Sequence, residues 1–393
     1  DVVIASAVRT PIGSFQGSLA SVPATRLAAT AVKEAVARAG VKGEDINEVY
    51  LGNVCSANLG QAPTRQATLF AGLPRDIPCT TVNKVCASGM KSVMFAAQSI
   101  MTGYNDVVVA GGFESMSNVP YYLPGGRSGM RYGNGEVVDG LIKDGLWDVY
   151  NDFHMVRAGM CAEKCAADYG ISREEQDNFA IQSYERSAAA SKAGKFKKEI
   201  VGVEVPQRRG DPLIVSEDEE FKRIQFDKIP GLRPAVKKDG TVTAANASTL
   251  NDGASALVVM SGKKAKALGI TPLARILGFG DAAQNPEDFT TAPAKAVPLA
   301  YKRAGVSPTD VEYHEINEAF SVVVLANMKL LNLDPSRVNV NGGGVSLGHP
   351  IGNSGSRIIA TLINVLEQND ATLGSASICN GGGGASAIVV ERL

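Results

Sequence analysis

The chain is predicted to adopt an α/β fold built from two similar halves with a segment inserted between them. Three observations support this. Strand-like and helix-like stretches alternate toward both ends of the sequence. A short text, Arg38-Ala39-Gly40-Val41 followed by Asp45, returns as Arg303-Ala304-Gly305-Val306 followed by Asp310, with elements in the same order around it. The middle, 120–243, is irregular and rich in loops, with a Gly/Arg/Tyr-rich stretch at 125–135 and one helical stretch at 174–192.

The elements follow from period and punctuation. Residues 2–7 read as a strand, and 25–39 carry helical spacing that stops at Gly40. Strands are expected at 48–54 and 80–85, a helix at 87–101, and a buried strand at 106–112, where Asp-Val-Val-Val-Ala-Gly-Gly lacks polar alternation. The second half repeats the plan. A strand is expected at 273–278, a helix at 294–304 ending at Gly305, a strand at 311–317 and a helix at 318–331. A strand at 337–341, a helix at 354–368 and closing strands at 375–380 and 385–391 complete it. The register of the repeated text carries Cys86 to within two residues of His349. Both then fall after the third strand of their half, on the side where open α/β sheets bind ligands.

Composition narrows the classes. A chain of 393 residues, 45% hydrophobic and 20% charged, has room for two or three domains. A net charge of −1 gives no reason to expect nucleic acid or an anionic membrane as partner. No run approaches the ~20 apolar residues of a spanning helix. Cys55, Cys79, Cys86, Cys161, Cys165 and Cys379 make no paired C-x-x-C zinc pattern and are expected as free thiols. Cys161 and Cys165 fall on one face of a helix, as two small buried side chains. Between 192 and 238, twelve Lys and Arg face eight acids. That excess fits either a solvated loop or a cradle for an anionic ligand.

Few residues can do chemistry. Cys86, in Val85-Cys86-Ala87-Ser88-Gly89-Met90, stands between a strand and a helix. There it is either a packing residue or a nucleophile whose pKa the helix N-terminus lowers, with Gly89 admitting a substrate or another strand. Of three histidines, His349 sits in Gly348-His349-Pro350-Ile351-Gly352-Asn353-Ser354-Gly355, a turn that can hold the ring toward a cavity. Asn317, before Glu318-Ala319-Phe320, is either a helix cap or an amide that positions a water or an oxyanion. Cys379 precedes Asn380 and four glycines, Gly381 to Gly384, whose unobstructed N–H groups suit an oxyanion site; a buried core thiol is the other reading. No Walker or His-Glu-x-x-His motif appears.

Together, Asn83-Lys84-Val85-Cys86-Ala87-Ser88-Gly89, Asn317-Glu318-Ala319-Phe320, Gly348-His349-Pro350-Ile351-Gly352 and Cys379 with its glycines resemble the thiolase family from Asp1 to Leu393. Val242–Gly253 and Ser377–Ala385 resemble the family's mitochondrial, acetoacetyl-CoA-cleaving branch most. The resemblance implies two βαβαβαββ halves in a five-layer α-β-α-β-α sandwich. Residues 1–119 with 244–271 would form one half, 272–393 the other, and 120–243 a loop domain over coenzyme A. It implies an acyltransferase that cleaves acetoacetyl-CoA, with its 2-methyl derivative as a branched candidate, or condenses two acyl-CoA molecules. It also implies a homotetramer in the mitochondrial matrix.

The roles carried over are these. Cys86 takes the acetyl group, Cys379 moves the α-proton, and His349 activates Cys86. His349, with a water on Asn317, also stabilises the thioester enolate. The N–H groups of Cys86 and Gly381 form a second oxyanion hole. Tyr184, Arg223, Lys228 and Ser248 would contact coenzyme A, with His154 and Met155 beside the acyl pocket. Potassium would take Tyr184, Ala244, Ala245, Ala247 and Val345. Two departures bear on specificity. The chain reads His154-Met155-Val156-Arg157-Ala158-Gly159 where the family has His-Met-Gly, and Phe289-Thr290 where that branch has Phe-Pro. The rivals are a general 3-ketoacyl-CoA thiolase, a decarboxylating ketoacyl synthase, a Cys–His hydrolase and a non-catalytic lipid-binding relative. A second catalytic histidine in place of Cys379 would mark the synthase, release of free acid the hydrolase, and loss of Cys86, Cys379 or His349 the lipid binder.

Overall fold

The computed structural model describes residues 1–154 and 159–393, with Phe153 and His154 described by backbone alone. The principal elements of the first half are β1 (Val2–Arg9), α1 (Ala24–Ala39), β2 (Glu48–Gly52), α2 (Pro63–Phe70), β3 (Cys79–Val82), α3 (Ser88–Met101) and β4 (Val107–Ser115). The middle contributes α4 (Met160–Tyr169) and α5 (Arg173–Lys192), and β5 (Asn251–Ser261) returns to the first half. The second half holds β6 (Ala274–Ala283), α6 (Pro293–Ala304), β7 (Tyr313–Ile316), α7 (Ser321–Leu331), α8 (Ile351–Gln368), β8 (Leu373–Asn380) and β9 (Gly384–Arg392).

The strands run in the order β7-β8-β9-β6-β1-β5-β4-β2-β3. β2, β3 and β4 are mutually parallel, as are β7 and β8, while β5, β1, β6 and β9 pair antiparallel with their neighbours. The two halves join edge to edge through β1 and β6, with Val2 opposite Ile276 and Ile4 opposite Ala274.

Helices cover both outer faces and fill the space between the halves. α1 lies on β1, β4 and β5 beside α2, and α6 lies on β6 and β9. α3 and α8 pack against each other and against strands of both halves. Ile351 through Leu366 are all buried, so α8 is enclosed on every side, as its apolar text requires. The layer between the halves holds Met90, Met94, Ile358, Leu362, Ile378 and Ile388. This is the α-β-α-β-α order. α3 and α8 touch backbone to backbone: a Cβ on Gly355 would lie 2.4 Å from the Met90 nitrogen, and one on Gly89 would lie 2.6 Å from Ser356 Oγ. Gly89 thus admits a helix rather than a strand or substrate.

One expected strand does not form. Residues 337–341 make a single bridge, Val338 to His314. The cause is Asn339, which adopts a φ of 48°. Its side-chain amide receives the Ile316 N–H at 2.8 Å and donates to the Ile316 carbonyl at 2.8 Å, replacing the ladder a strand would supply. The turn carrying His349 therefore follows a loop and the short helix Gly344–Leu347, not a third strand. Among the described residues no helix is long and apolar enough to cross a membrane.

Candidate active site

Cys86 stands at a constrained turn between β3 and α3. Val85 has a φ of 48°, a left-handed conformation that costs a β-branched residue on the order of 1–3 kcal/mol. Hydrogen bonds hold it there. Val85 N–H donates to Asn83 Oδ1 at 2.9 Å, Lys84 N–H to Ser88 Oγ at 2.8 Å, and Ser88 Oγ–H to the Val85 carbonyl at 2.6 Å. The Lys84 ammonium then reaches into the second half, to Asp281 Oδ1 at 2.6 Å, Ser386 Oγ at 2.7 Å and the Ala385 carbonyl at 3.1 Å. Ala385 is the partner of Cys379 across β8 and β9. The Cys86 turn of one half is so fastened to the strand pair bearing the second cysteine.

The two cysteines belong to one site. The Gly381 N–H, two residues beyond Cys379, lies near enough to the Cys86 sulfur to pull its pKa down. Burial pushes the Cys86 thiol up to about 11, against the opposing pull of the Gly381 and Cys86 N–H groups. This overturns the expected depression by the helix terminus: taking the sulfur out of water costs more than the donors return. Cys379, 1% exposed, lies well above the ordinary thiol range through burial and then the charge of Cys86. It packs with Cys161, Cys165, Phe289, Ala319 and Phe320. Cys161 and Cys165 are buried on α4, and all six cysteines are free.

His349 is buried, and burial pushes its imidazole down to about 3, with Arg357 adding to the effect. Its N–H donates to Asn251 Oδ1 at 2.9 Å, which fixes the turn. Ring Nδ1 is 2.6 Å from Ser354 Oγ, whose hydroxyl donates to the Pro350 carbonyl at 3.0 Å. The hydroxyl proton being used, Ser354 accepts, so Nδ1 carries the proton and Nε2 presents a lone pair. Asn317 Nδ2 stands 3.4 Å from that lone pair. Asn317 is not a helix cap, because α7 begins only at Ser321 with Phe320 preceding it. Its buried Oδ1 has no partner among the described residues, as expected of an atom awaiting a water or substrate.

A cavity of about 560 Å³ lies between the middle segment and the loop 242–250, and Cys86, Asn317, His349 and Cys379 are not in its lining. Arg223, Ser248, Ala244 and Ala247 line it, and its walls Leu146 and Val242 belong to the apolar clusters that hold Cys86 and Cys379. Tyr184 is buried against Val345 and meets Phe226 edge-on, outside the cavity lining. Lys228 lies in the turn Phe226–Gly231 and does not line the cavity either. His154 ends a short strand, with its side chain not described, and Met155 lies outside the described residues together with Val156, Arg157 and Ala158. Ser354 and Asn251 went unrecognised in the sequence. The signal for Ser354 was its place five residues after His349 in the same glycine-bounded turn.

The remaining expected ligand positions converge on one loop. Ala247 bridges Phe320, and Val345 N–H donates to Glu318 Oε2 at 3.0 Å. Among the described residues no backbone N–H donates to the carbonyls of Ala244, Ala245, Ala247 or Val345. Carbonyl oxygens are donors of the kind a hard cation takes, and of this set Tyr184 packs in one cluster with Val345. No group of three or more His, Cys, Asp or Glu suited to a metal occurs among the described residues.

Comparison with known proteins settles the ancestry. Residues 2–263 match the thiolase N-terminal domain and residues 270–392 the thiolase C-terminal domain. The chain belongs to the thiolase family. Among its relatives, an acetyl-CoA acetyltransferase of Schizosaccharomyces pombe is 59% identical over 100% of this chain and 99% of its own length. A mitochondrial acetyl-CoA acetyltransferase of Xenopus tropicalis is 59% identical over 100% and 92%. The Acat5 thiolase from Ascaris suum, solved in complex with coenzyme A, superposes with a TM-score of 0.94 at 46% identity, over 100% of both chains. The thiolase fold expected from the motifs is the fold observed.

Proposed function

We propose that the chain is an acetyl-CoA C-acetyltransferase, cleaving acetoacetyl-CoA with coenzyme A or condensing two acyl-CoA molecules through an acetyl-Cys86 intermediate. The observation that supports this reading is the fastening of the Cys86 turn, through Lys84, to Ala385, the strand partner of Cys379, in a chain that also sets Asn317 Nδ2 3.4 Å from His349 Nε2.

The geometry and the family's pattern support the following roles. His349 Nε2, unprotonated, takes the Cys86 proton as the sulfur attacks the ketone carbonyl of acetoacetyl-CoA. The C–C bond breaks, and its electron pair leaves as the enolate of acetyl-CoA. His349 and a water on Asn317 hold that enolate oxygen, and Cys379 gives its proton to the carbon. Coenzyme A then enters as thiol, the Cys379 thiolate removes its proton, the new thiolate takes the acetyl group from Cys86, and the Cys86 sulfur that leaves recovers its proton from His349. The N–H groups of Cys86 and Gly381 hold the thioester oxygen in each transfer. Each such donor contributes about 3–4 kcal/mol where charge develops, and the matched base roughly 10²–10⁴-fold.

Arg223 and Ser248 hold coenzyme A in the cavity, with Tyr184 and Lys228 at its margin and His154 and Met155 toward the acyl group. Residues 120–243 act as the covering loop domain between halves 1–119 with 244–271 and 272–393. Phe289, packed with Cys379, limits the acyl chain to a short one. Potassium, held by Tyr184 and the carbonyls of Ala244, Ala245, Ala247 and Val345, would brace the loop against Glu318–Phe320 and supply fixed positive charge. Relatives named mitochondrial support placement in the matrix, and family membership supports a homotetramer. The test is steady-state thiolysis of acetoacetyl-CoA, its 2-methyl derivative and a long-chain 3-ketoacyl-CoA, with and without potassium. Fast turnover of the first and little of the last is expected; a preference for the long chain would overturn the reading.

A further inference from the structure

Glu114, 1% exposed near the end of β4, is a buried carboxylate that the reaction above does not use. Its oxygens accept four hydrogen bonds. Oε1 receives Asn53 Nδ2 at 2.9 Å and Cys55 N–H at 3.2 Å, while Oε2 receives Val54 N–H at 3.1 Å and Gly352 N–H at 3.0 Å. Burial pushes this carboxyl up to about 7, while those same N–H groups pull it back toward the ionised form.

The donors come from two places that matter. Gly352 is the second residue of α8 and lies three residues after His349, and the first N–H groups of a helix have no helical partner. A Cβ there would stand 2.7 Å from Glu114 Oε2, so the approach requires glycine. Val54 and Cys55 pack in the same apolar cluster as Cys86. After burial, the Glu114 charge is a further cause that lifts the Cys86 thiol. Only a carboxylate offers acceptors to both pairs of donors; an amide can serve one pair and must turn its NH₂ toward the other.

We propose that Glu114 is a positioning residue, a buried anion that locks the His349 turn to the 53–55 turn and sets the electrostatic field at the Cys86 sulfur. The proposal rests on Cys86 being the nucleophile. It is tested by comparing Glu114→Gln and Glu114→Asp with the wild-type enzyme in thiolysis kinetics and in the pH dependence of Cys86 alkylation by iodoacetamide. In E114Q, kcat falls about a hundredfold through misplacement of the imidazole. KM for coenzyme A holds, and the alkylation midpoint drops by about half a unit or more because an anion has gone. In E114D the charge stays while its reach shortens, so kcat falls and the midpoint does not drop.

A merely structural role would lower thermal stability in both variants without moving the midpoint. Wild-type kcat in E114Q, or an unmoved midpoint in it, overturns the proposal. Should E114Q not fold, Asn53→Ala removes one of the four donors and is expected to lower kcat by about 2–10-fold; unchanged kcat there overturns it equally. Absence of acetoacetyl-CoA thiolysis in the wild type would instead sink the proposed function, whereas the alkylation comparison is read without turnover.

Discussion

The resting state of Cys86 offers a sharp test, because the structure and a simple helix-terminus argument predict opposite behaviour. The thiol is raised from 9.0 to about 11 and the His349 imidazole lowered to about 3. Between those limits both groups are neutral, so the resting pair is thiol and imidazole rather than thiolate and imidazolium. A shift of two units corresponds to about 2.7 kcal/mol against the thiolate, and at pH 7 leaves it at about one part in 10⁴, roughly a hundredfold below an unshifted cysteine. The perturbation is His349→Ala, and the assay is the rate of Cys86 alkylation by iodoacetamide from pH 5 to 10, read by peptide mass. In the wild type the rate should climb about tenfold per pH unit with no plateau below pH 9. In H349A that curve should barely move, while acylation by acetoacetyl-CoA slows by roughly 10²–10⁴-fold for want of a base. A flat alkylation rate between pH 5 and 8 that disappears in H349A would reveal a pre-formed ion pair and refute the reasoning.

Other perturbations test the cavity and the frame. Arg223→Ala should raise KM for coenzyme A about 10-fold or more at nearly constant kcat, since a charged contact contributes about 1.5–3 kcal/mol, and steady-state kinetics would show it. Arg9 is fully buried, bound to Glu199 at 2.6 Å and to Asp218 at 2.7 and 2.9 Å. Arg9→Met leaves two carboxylates unpaired and should cost about 3–5 kcal/mol in urea unfolding, with a visible loss of midpoint denaturant concentration.

Much of this could be read from the text, and the failures have physical causes. The helix at 25–39 and the strand at 106–112 were plain because period and apolar content act locally, and α1 and β4 lie where expected. Residues 337–341 misled because their polarity pattern resembles a strand, while Asn339 settles the matter through side-chain contacts to a segment more than twenty residues away. β5, in the middle of the sheet, begins with Asn251-Asp252-Gly253, a text that resembles a turn. Those polar groups are instead consumed by tertiary contacts, Asn251 with the His349 backbone and Asp252 with Ser115 and Ser117. At the candidate site, Cys86, His349, Asn317 and Cys379 stood out in the text because strand ends and glycine-bounded turns are few. The direction of the Cys86 shift was not, since burial by the opposite half leaves no trace in the neighbouring residues. Ser354, Asn251 and Glu114 escaped for the same reason: each acts on a partner that only folding brings near.

The central claim is that sulfurs from opposite halves divide one reaction, Cys86 carrying the acetyl group and Cys379 moving the proton. The most direct measurement is intact-protein and peptide mass spectrometry of Cys379→Ser and Cys86→Ser after exposure to acetyl-CoA. C379S should accumulate an acetyl adduct on Cys86 and turn over poorly, while C86S should take up none. An adduct on Cys379 in C86S, or rapid turnover by C379S, would contradict the account.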